Sequence, residues 1–328
     1  MQDTEAAGIA PLVSVIVPAY RVTESIAATL DSVLAQTFTD YEIIVVNDGS
    51  PDTEELESVL APYRDRIVYL RQENQGLSGA RNTGIRAARG KYIAPLDADD
   101  MWDPEHLAAQ VAVLEAEPSI DFVYADARIF GDLPQAGKTV MDLCPSAGEV
   151  TFERLVARQC TVHVCVTVCR REALIRAGLF DPDLRRVEDI DMWLRISRQR
   201  HRIVYQRRVL GSYRRRAGSL SSDRVAMLEA FLTVLAKAAS EPQLTAAQRE
   251  AVAHQCAVER ASLDLERGKR AFLAGDAEGA VRHLTQARAQ RKSLKLAAVL
   301  MLLRVTPSFL RTLYQWRDRH VYSLKTPS

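Results

Sequence analysis

Three aspartates follow one short apolar segment of this 328-residue chain. Residues 92–96 read Tyr-Ile-Ala-Pro-Leu, and Asp97, Asp99 and Asp100 come directly after them. Carboxylates crowded at the end of a strand repel one another unless a cation offsets their charge, so the segment suits a divalent metal that serves a phosphate-bearing ligand. An acidic loop before a helix is the alternative, because residues 103–105, Asp-Pro-Glu, have the types of a helix start. Such a helix start would use only Asp103 and leave Asp97, Asp99 and Asp100 without a role.

A second acidic cluster contains Glu188, Asp189 and Asp191, at the start of a segment with helical spacing. One of these carboxylates could act as a general base against a hydroxyl group. The alternative is that all three are helix N-terminal charges, which the helix dipole favours. Asp191 can also pair with Arg195 one turn later.

Two further segments contain residue types that could bind a nucleotide. Asp48 follows an apolar run, where an acid can accept hydrogen bonds from a base or ribose, and Gly49 allows a sharp turn. The same residues are also common in ordinary turns. Residues 76–82 open a helix with Gly76 and a second glycine, and Arg81 adds positive charge near a helix start that could approach phosphate. The segment is neither a Walker loop nor a dinucleotide fingerprint.

A basic loop, residues 213–219, precedes the last third of the chain. It contains three consecutive arginines, Arg214, Arg215 and Arg216. They could clamp a departing diphosphate. The alternative is a charge run exposed to solvent.

The first half of the chain alternates apolar strands with helices, which predicts a mainly parallel α/β sheet covered on both faces. Ligands of such sheets lie beyond the carboxyl ends of the strands, where the acids described above occur. The predicted strands are 12–17, 42–46, 67–70, 92–96 and 122–125. The predicted helices between them are 25–36, 53–60, 77–88 and 104–117.

The remainder is less regular and then helical. Residues 131–148 predict a long loop, and 162–169 alternate apolar and polar types as a half-buried strand does. Residues 202–213 predict another strand. After residue 222 strand patterns cease, and helical spacing covers 224–237, 246–266, 277–291 and the strongly apolar 295–305. We therefore expect an α/β domain over 1–222 and a helical region over 223–328.

Composition excludes several classes of protein. A net charge of +1 with 47% hydrophobic and 26% charged residues is typical of a globular protein and gives no indication of a nucleic-acid partner. Five cysteines without a Cys-x-x-Cys pair favour a reducing compartment. The polar start lacks a signal-peptide pattern, and no apolar run reaches the ~18 residues of a spanning helix. These features predict a cytoplasmic protein.

Taken in order, the motifs resemble those of the family 2 inverting glycosyltransferases, which have the GT-A fold. The resemblance covers about residues 12–222. It rests on seven segments in the family's order. They are 15–20 (Val-Ile-Val-Pro-Ala-Tyr), 45–50 (Val-Val-Asn-Asp-Gly-Ser), 74–82, 96–100 (Leu-Asp-Ala-Asp-Asp), 178–181 (Gly-Leu-Phe-Asp), 188–195 and 213–214 (Tyr-Arg).

The resemblance implies a role for each candidate residue. Mn²⁺ or Mg²⁺ should bridge Asp99, helped by Asp100, to the donor diphosphate. Asp189 should be the base for the acceptor hydroxyl, with Glu188 and Asp191 as further catalytic candidates. The donor-binding residues would be Pro18, Ala19, Tyr20, Asp48, Gly76, Arg81, Asp97, Ala98 and Arg216. Many relatives have His where Arg216 stands, and an arginine is a poor metal ligand, so this loop would contact phosphate instead.

The resemblance also implies partners. They are a nucleotide-sugar donor, most simply a UDP-sugar, and a glycan, lipid-linked or protein acceptor in cell-surface polysaccharide or glycoconjugate synthesis. The helical region lies outside the resemblance. Its apolar segment 295–305 is expected to pack against the catalytic domain, and the alternatives are a homodimer contact or peripheral contact with the inner face of a membrane. A non-catalytic nucleotide-sugar-binding module and a nucleotidyltransferase are the alternatives. The second would typically carry a glycine-rich loop after the first strand, and residues 18–23 contain no glycine.

Overall fold

A computed structural model describes residues 10–198, 202–216, 218–219, 222–291 and 293–306. The chain divides into two compact units, Met1–Ser222 and Asp223–Ser328. The first unit contains the sheet and both acidic clusters. The described part of the second unit is built from helices.

The strands of the first unit form one mixed sheet in the order β3-β2-β1-β4-β7-β6-β8-β5. Strands β3, β2, β1 and β4 are mutually parallel, as predicted, whereas β7 is antiparallel to both of its neighbours. This architecture confirms the predicted α/β fold class. The strands are β1 (Val13–Ala19), β2 (Tyr41–Asp48), β3 (Val68–Gln72), β4 (Tyr92–Pro95), β5 (Met101–Trp102), β6 (Ile120–Phe130), β7 (Thr167–Arg170) and β8 (Arg202–Arg214).

Helices flank this sheet, and the predicted helices of the first half are present with ends displaced by two residues or fewer. Those that cross between the parallel strands are α1 (Ile26–Leu34), α2 (Thr53–Leu60), α3 (Gly76–Ala87) and α4 (His106–Ala116). The later ones are α5 (Val140–Leu143), α6 (Phe152–Val156), α7 (Arg171–Arg176) and α8 (Glu188–Arg198).

The central strands are buried along their whole length because helices cover both faces of the sheet. Every residue of β1 and β4 is buried, and their alternate side chains join the core of the unit. Helix α3 lies close to the sheet at Gly84, where an added Cβ would be 2.5 Å from Ile16 Cγ2. This close contact fixes the depth of the helix that carries Arg81.

One prediction about the middle of the chain was wrong in detail. Residues 162–169 do not form one half-buried strand, because Val164–Val166 form a turn of 3-10 helix and only Thr167–Arg170 pair in the sheet. The Thr167 hydroxyl donates to the Val164 carbonyl and closes that turn. The alternating pattern failed as a signal because the polar positions Cys165, Thr167 and Cys169 are buried as well.

The predicted cap of α4 was also wrong. The helix begins at His106 with Glu105 as its N-cap, and the two residues before Asp103 form β5. Asp103 follows β5, and its backbone N–H donates to the Leu210 carbonyl of β8. The helix start therefore does not explain any of the clustered aspartates.

The second unit contains four described helices, α9 (Arg224–Ala239), α10 (Ala246–Ala274), α11 (Ala277–Gln290) and α12 (Leu294–Val305). Helix α10 is longer than predicted and ends at Gly275, which has a φ of 89°. The Asp276 side chain then accepts from the Gly279 N–H and starts α11. In the described part of the chain, no helix combines the length and hydropathy needed to cross a membrane.

Candidate active site

The two acidic clusters meet at one buried arginine. Arg81 Nη2 lies 2.6 Å from Asp97 Oδ1, at the carboxyl end of β4, and Nη1 lies 2.6 Å from Glu188 Oε1, at the start of α8. The Arg81 side chain is 1% exposed, and its guanidinium carbon lies 5.3 Å from the centre of the Phe180 ring. Arg81 thus joins segments that are far apart in sequence.

Helix α3 holds the second cluster in place through polar contacts with the segment before α8. The Asn82 amide donates to the Phe180 carbonyl at 2.7 Å and accepts from the Phe180 N–H at 2.9 Å. The Ser78 hydroxyl donates to the Leu184 carbonyl. These contacts, with the Arg81 ion pairs, position the residues that lead into Asp189.

The prediction that Arg81 binds the donor does not match its place in the structure. Both of its terminal nitrogens are engaged by carboxylates inside the protein, and the side chain is closed to solvent. Its neighbouring carboxylates raise the pKa of Arg81 and outweigh the effect of burial, so it is charged at all relevant pH values. We therefore interpret Arg81 as a positioning residue.

Asp189 lies in the first turn of α8, next to an unusual backbone conformation. Val187, two residues earlier, has a φ of 54°, which is rare for a β-branched residue and costs about 1–3 kcal/mol. The Asp189 side chain is half-buried, and its Oδ1 accepts from the Ile190 N–H at 2.8 Å. Burial, and then the negative charge of Glu188, raise the pKa of Asp189 to about 7, against the opposing charge of Arg81. A carboxylate in this state is a stronger base than an exposed one.

The other two catalytic candidates of this cluster form ion pairs inside the protein. Glu188 is buried in its ion pair with Arg81. Asp191 is buried against Arg195, whose Nε and Nη2 lie 2.9 and 2.8 Å from Asp191 Oδ2, and this confirms the predicted pair. A base needs an accessible oxygen, so the structure disagrees with a catalytic role for Glu188 or Asp191. Within the described residues, no cation lies at ion-pair distance from Asp189.

Asp100 is enclosed rather than open to a ligand. Its side chain is 1% exposed, and Oδ1 accepts from the Arg214 N–H at 2.8 Å. Burial, and then the charges of Asp97 and Asp99, raise the pKa of Asp100 well above its ordinary value. The predicted ligand Asp100 thus lies inside the protein, where it ties the strand end to β8, and its role as a ligand stays a prediction.

The first cluster has two half-buried members, Asp97, which is paired with Arg81, and Asp99. Asp99 Oδ2 lies 3.5 Å from Arg216 Nη2. Burial, and then the charge of Asp97, raise the pKa of Asp99, whereas Arg216 and Arg214 lower it. Arg214 also donates from Nε to the Asp99 carbonyl at 3.0 Å. The backbone of the cluster is thus fixed while one carboxylate stays reachable.

These residues fit a divalent cation only in part. In the part of the chain that the structure describes, no group of three His, Cys, Asp or Glu side chains could hold a metal ion. Burial and then the charge of Asp97 raise the pKa of Asp99, and an added positive charge beside the two carboxylates would offset their repulsion. A Mg²⁺-like ion often takes one or two carboxylates together with phosphate oxygens. The cluster fits that kind of shared site.

Asp48, at the end of β2, organises the turn between β3 and α3. Its side chain is buried, and Oδ1 accepts from Gln72 Nε2 at 2.7 Å and from the Gln75 N–H at 2.8 Å. Gly49 has a φ of 64°, and an added Cβ would lie 2.8 Å from the Asn74 nitrogen. Asp48 therefore holds the start of α3, where Gly76 has a φ of 77°.

An open cleft of about 510 Å³ lies beside this edge of the sheet. Arg216 lines it and also contacts Asp99, so the cleft adjoins the first acidic cluster. Of the predicted donor residues at the end of β1, Pro18 and Ala19 are buried and Tyr20 is exposed. The residues that line the cleft are Arg21, Val22, Thr23, Glu24, Ser25, Pro51, Asp52 and Arg216.

Sequence reasoning missed the groups that hold the site together. Arg214 was grouped with a basic loop, but it anchors Asp99 and Asp100. Thr29 of α1 donates to the Asp100 carbonyl at 2.8 Å. Neither Thr29 nor Asn82 carries a local pattern that marks it, because each acts through a partner more than 70 residues away in the chain.

Comparison with known proteins agrees with the motifs. Residues 14–174 match the family described as Glycosyl transferase family 2. A glycosyltransferase of Rickettsia prowazekii is 31% identical over 67% of this chain and 69% of its own length. The UDP-Glc:alpha-D-GlcNAc-diphosphoundecaprenol beta-1,3-glucosyltransferase WfgD of Escherichia coli is 30% identical over 70% of this chain and 88% of its own length. The glycosyltransferases of Rickettsia felis and Rickettsia bellii are longer, and the match covers about a third of their length.

Solved structures share the fold. TarS 1–349 of S. aureus in complex with UDP-GlcNAc superposes with a TM-score of 0.62 at 18% identity, covering 94% of this chain and 91% of the TarS fragment. A mannosyltransferase of Pyrobaculum calidifontis, solved with GDP-Man and Mn²⁺, has a TM-score of 0.62 at 20% identity, covering 96% of this chain and 88% of the other. With the ordered motifs and the relatives above, this chain belongs to the family 2 glycosyltransferases and is a glycosyltransferase enzyme.

Proposed function

We propose that this enzyme transfers a hexose, with inversion, from a UDP-sugar to a hydroxyl group of a lipid-linked glycan in cell-surface polysaccharide synthesis. The observation that carries the proposal is the Arg81 bridge, which joins Asp97, two residues before Asp99, to Glu188, the chain neighbour of Asp189. Asp99 is available to the donor, and Asp189 is available to the acceptor. The donor and acceptor classes rest on WfgD, which uses UDP-Glc and a diphosphoundecaprenol-linked acceptor by its name.

The first cluster and the cleft would bind the donor. The diphosphate lies near Asp99 and Arg216 in this proposal, and the nucleoside lies toward Tyr20 and Asp48. Arg216 supplies a fixed positive charge that offsets the charge developing on the departing diphosphate. A Mn²⁺ or Mg²⁺ ion, when bound through Asp99, adds further stabilisation of that charge.

Asp189 would act on the acceptor. Its carboxylate takes the proton of the acceptor hydroxyl as that oxygen attacks the anomeric carbon of the sugar. The bond from the anomeric carbon to the diphosphate breaks on the opposite face, and the diphosphate leaves with the electron pair. One direct displacement of this kind inverts the configuration of the anomeric carbon.

We expect Asp99→Asn to weaken the Mn²⁺-dependent binding of UDP by about tenfold or more, because the neutral amide cannot replace a carboxylate ligand. Calorimetric titration of UDP with and without Mn²⁺ measures this effect. Asp132→Asn is the matched control, since it removes one acid from an exposed loop and should leave the affinity unchanged. Equal affinity of the Asp99 variant and the unmodified enzyme would contradict the metal role.

The pH dependence of turnover gives an independent test of Asp189. Because the pKa of Asp189 is raised to about 7, the base is protonated below that pH and becomes active as the pH rises through it. We expect the turnover number at saturating donor to rise about tenfold per pH unit below this pKa and to level off above it.

The two described histidines of the first unit would not produce this rise of the turnover number with pH. Burial lowers the pKa of His106 to about 3 and that of His163 to about 4, so both stay neutral near pH 7. Donor affinity, measured over the same pH range, separates effects on binding from effects on the base. A turnover number that is flat from pH 5 to 8 would oppose the assignment.

A further inference from the structure

The last described helix, α12, has apolar side chains on two opposite faces. Leu296, Leu300 and Leu303 are buried in the core of the second unit, with Leu284 of α11. On the opposite face Leu294 is 90% exposed, and Met301 and Val305 are each 71% exposed. Half of the exposed large apolar side chains among the described residues lie in this one helix. A concentration of this kind marks a contact surface rather than scattered exposure.

Basic residues border the exposed face. At 100° per residue, Lys295 and Arg304 lie on the two edges of the stripe formed by Leu294, Met301 and Val305. Long basic side chains in that position can lay their stems along apolar surface while the charges reach outward. The sequence contains no Asp or Glu between Glu278 and Asp318. The whole chain has a net charge of only +1, so this acid-free stretch carries an excess of positive charge that acids elsewhere in the chain offset.

We propose that this stripe of α12 docks on the surface of an anionic lipid bilayer. An apolar stripe with flanking Lys or Arg and without acids is the composition of a helix that lies in a membrane interface. Anionic headgroups complement the basic edges, and the acyl boundary accepts Leu294, Met301 and Val305. A second copy of the chain would bring the same positive charges together, which opposes a symmetric contact through this face.

The proposal is independent of the transfer chemistry and is tested without an activity assay. The full chain is mixed with vesicles of phosphatidylcholine alone or with about one third phosphatidylglycerol, and bound protein is separated by flotation. We expect binding to the anionic vesicles at low salt and a loss of about tenfold or more at high salt. Equal binding to both vesicle types, or no binding to either, would overturn the proposal.

Substitutions in the exposed face identify the surface. Met301→Glu combined with Val305→Glu should abolish flotation, and Lys295→Glu should weaken vesicle affinity by about fivefold or more. Ile175→Glu, at a 47% exposed apolar position of α7, is the matched control and should bind normally. Circular dichroism checks that the helices persist in each variant.

Two further outcomes would argue against lipid binding by the stripe of α12. If the double variant binds vesicles like the unmodified chain, while a chain ending at Thr306 does not, the lipid contact belongs to the residues after α12. If sedimentation instead shows a dimer that the double variant loses, with no vesicle binding, the stripe contacts a second copy. Either result rejects α12 as a lipid-binding surface.

Discussion

Replacing Asp189 by asparagine should lower the turnover number by about 10²–10⁴-fold, the range that a positioned general base contributes. The amide keeps the size of the side chain but cannot accept the acceptor's proton. Arg81 and Glu188 remain paired in this variant, so the donor site should keep its shape. The measurement is the rate of sugar transfer from a UDP-sugar at saturating donor, with calorimetric affinity for UDP measured in parallel.

The matched control for this variant is Asp183→Asn. Asp183 lies in the same segment before α8 and is exposed, so its loss removes an equal charge without touching the site. We expect its transfer rate to equal that of the unmodified enzyme. Full turnover by Asp189→Asn would remove Asp189 as the base. Lost UDP affinity in that variant would instead indicate a role in binding the donor.

Replacing Arg81 by methionine should lower the free energy of unfolding by about 3–5 kcal/mol, the cost of leaving buried charges without their partner. Asp97 and Glu188 would both lose the guanidinium that now lies 2.6 Å from each of them. Urea denaturation, followed by the fluorescence of the buried Trp102 and Trp193, reports on this unit. We also expect transfer to fall, because the pair positions the neighbours of Asp99 and Asp189.

The control for Arg81 is an exposed ion pair on the same unit. Arg208 contacts Glu105 with both side chains exposed, so Arg208→Met should cost less than about 1 kcal/mol. Adding Glu188→Gln to Arg81→Met should recover part of the lost stability, since one uncompensated charge is then removed. A loss no larger than that of Arg208→Met would contradict the bridging role of Arg81.

The class of fold followed from local patterns. Continuous apolar strands separated by helices predicted the parallel half of the sheet, because burial on both faces makes a strand such as β1 apolar at every position but Ser14. Pairing partners outside that half were less predictable. The two residues of β5 become a strand only by pairing with β8, so no pattern within them could have indicated it.

The sequence by itself determined which acids cluster and where they lie along the chain, since both clusters sit at element ends that periodicity reveals. The tertiary structure alone decided which of those acids is available. Glu188, Asp191 and Asp100 have the same chemistry as Asp189 and Asp99, but each is closed by a partner on another turn or another element. Long-range pairing decides this because burial and a fixed partner change the accessibility and pKa of a carboxylate, and neither is encoded by residue type or spacing.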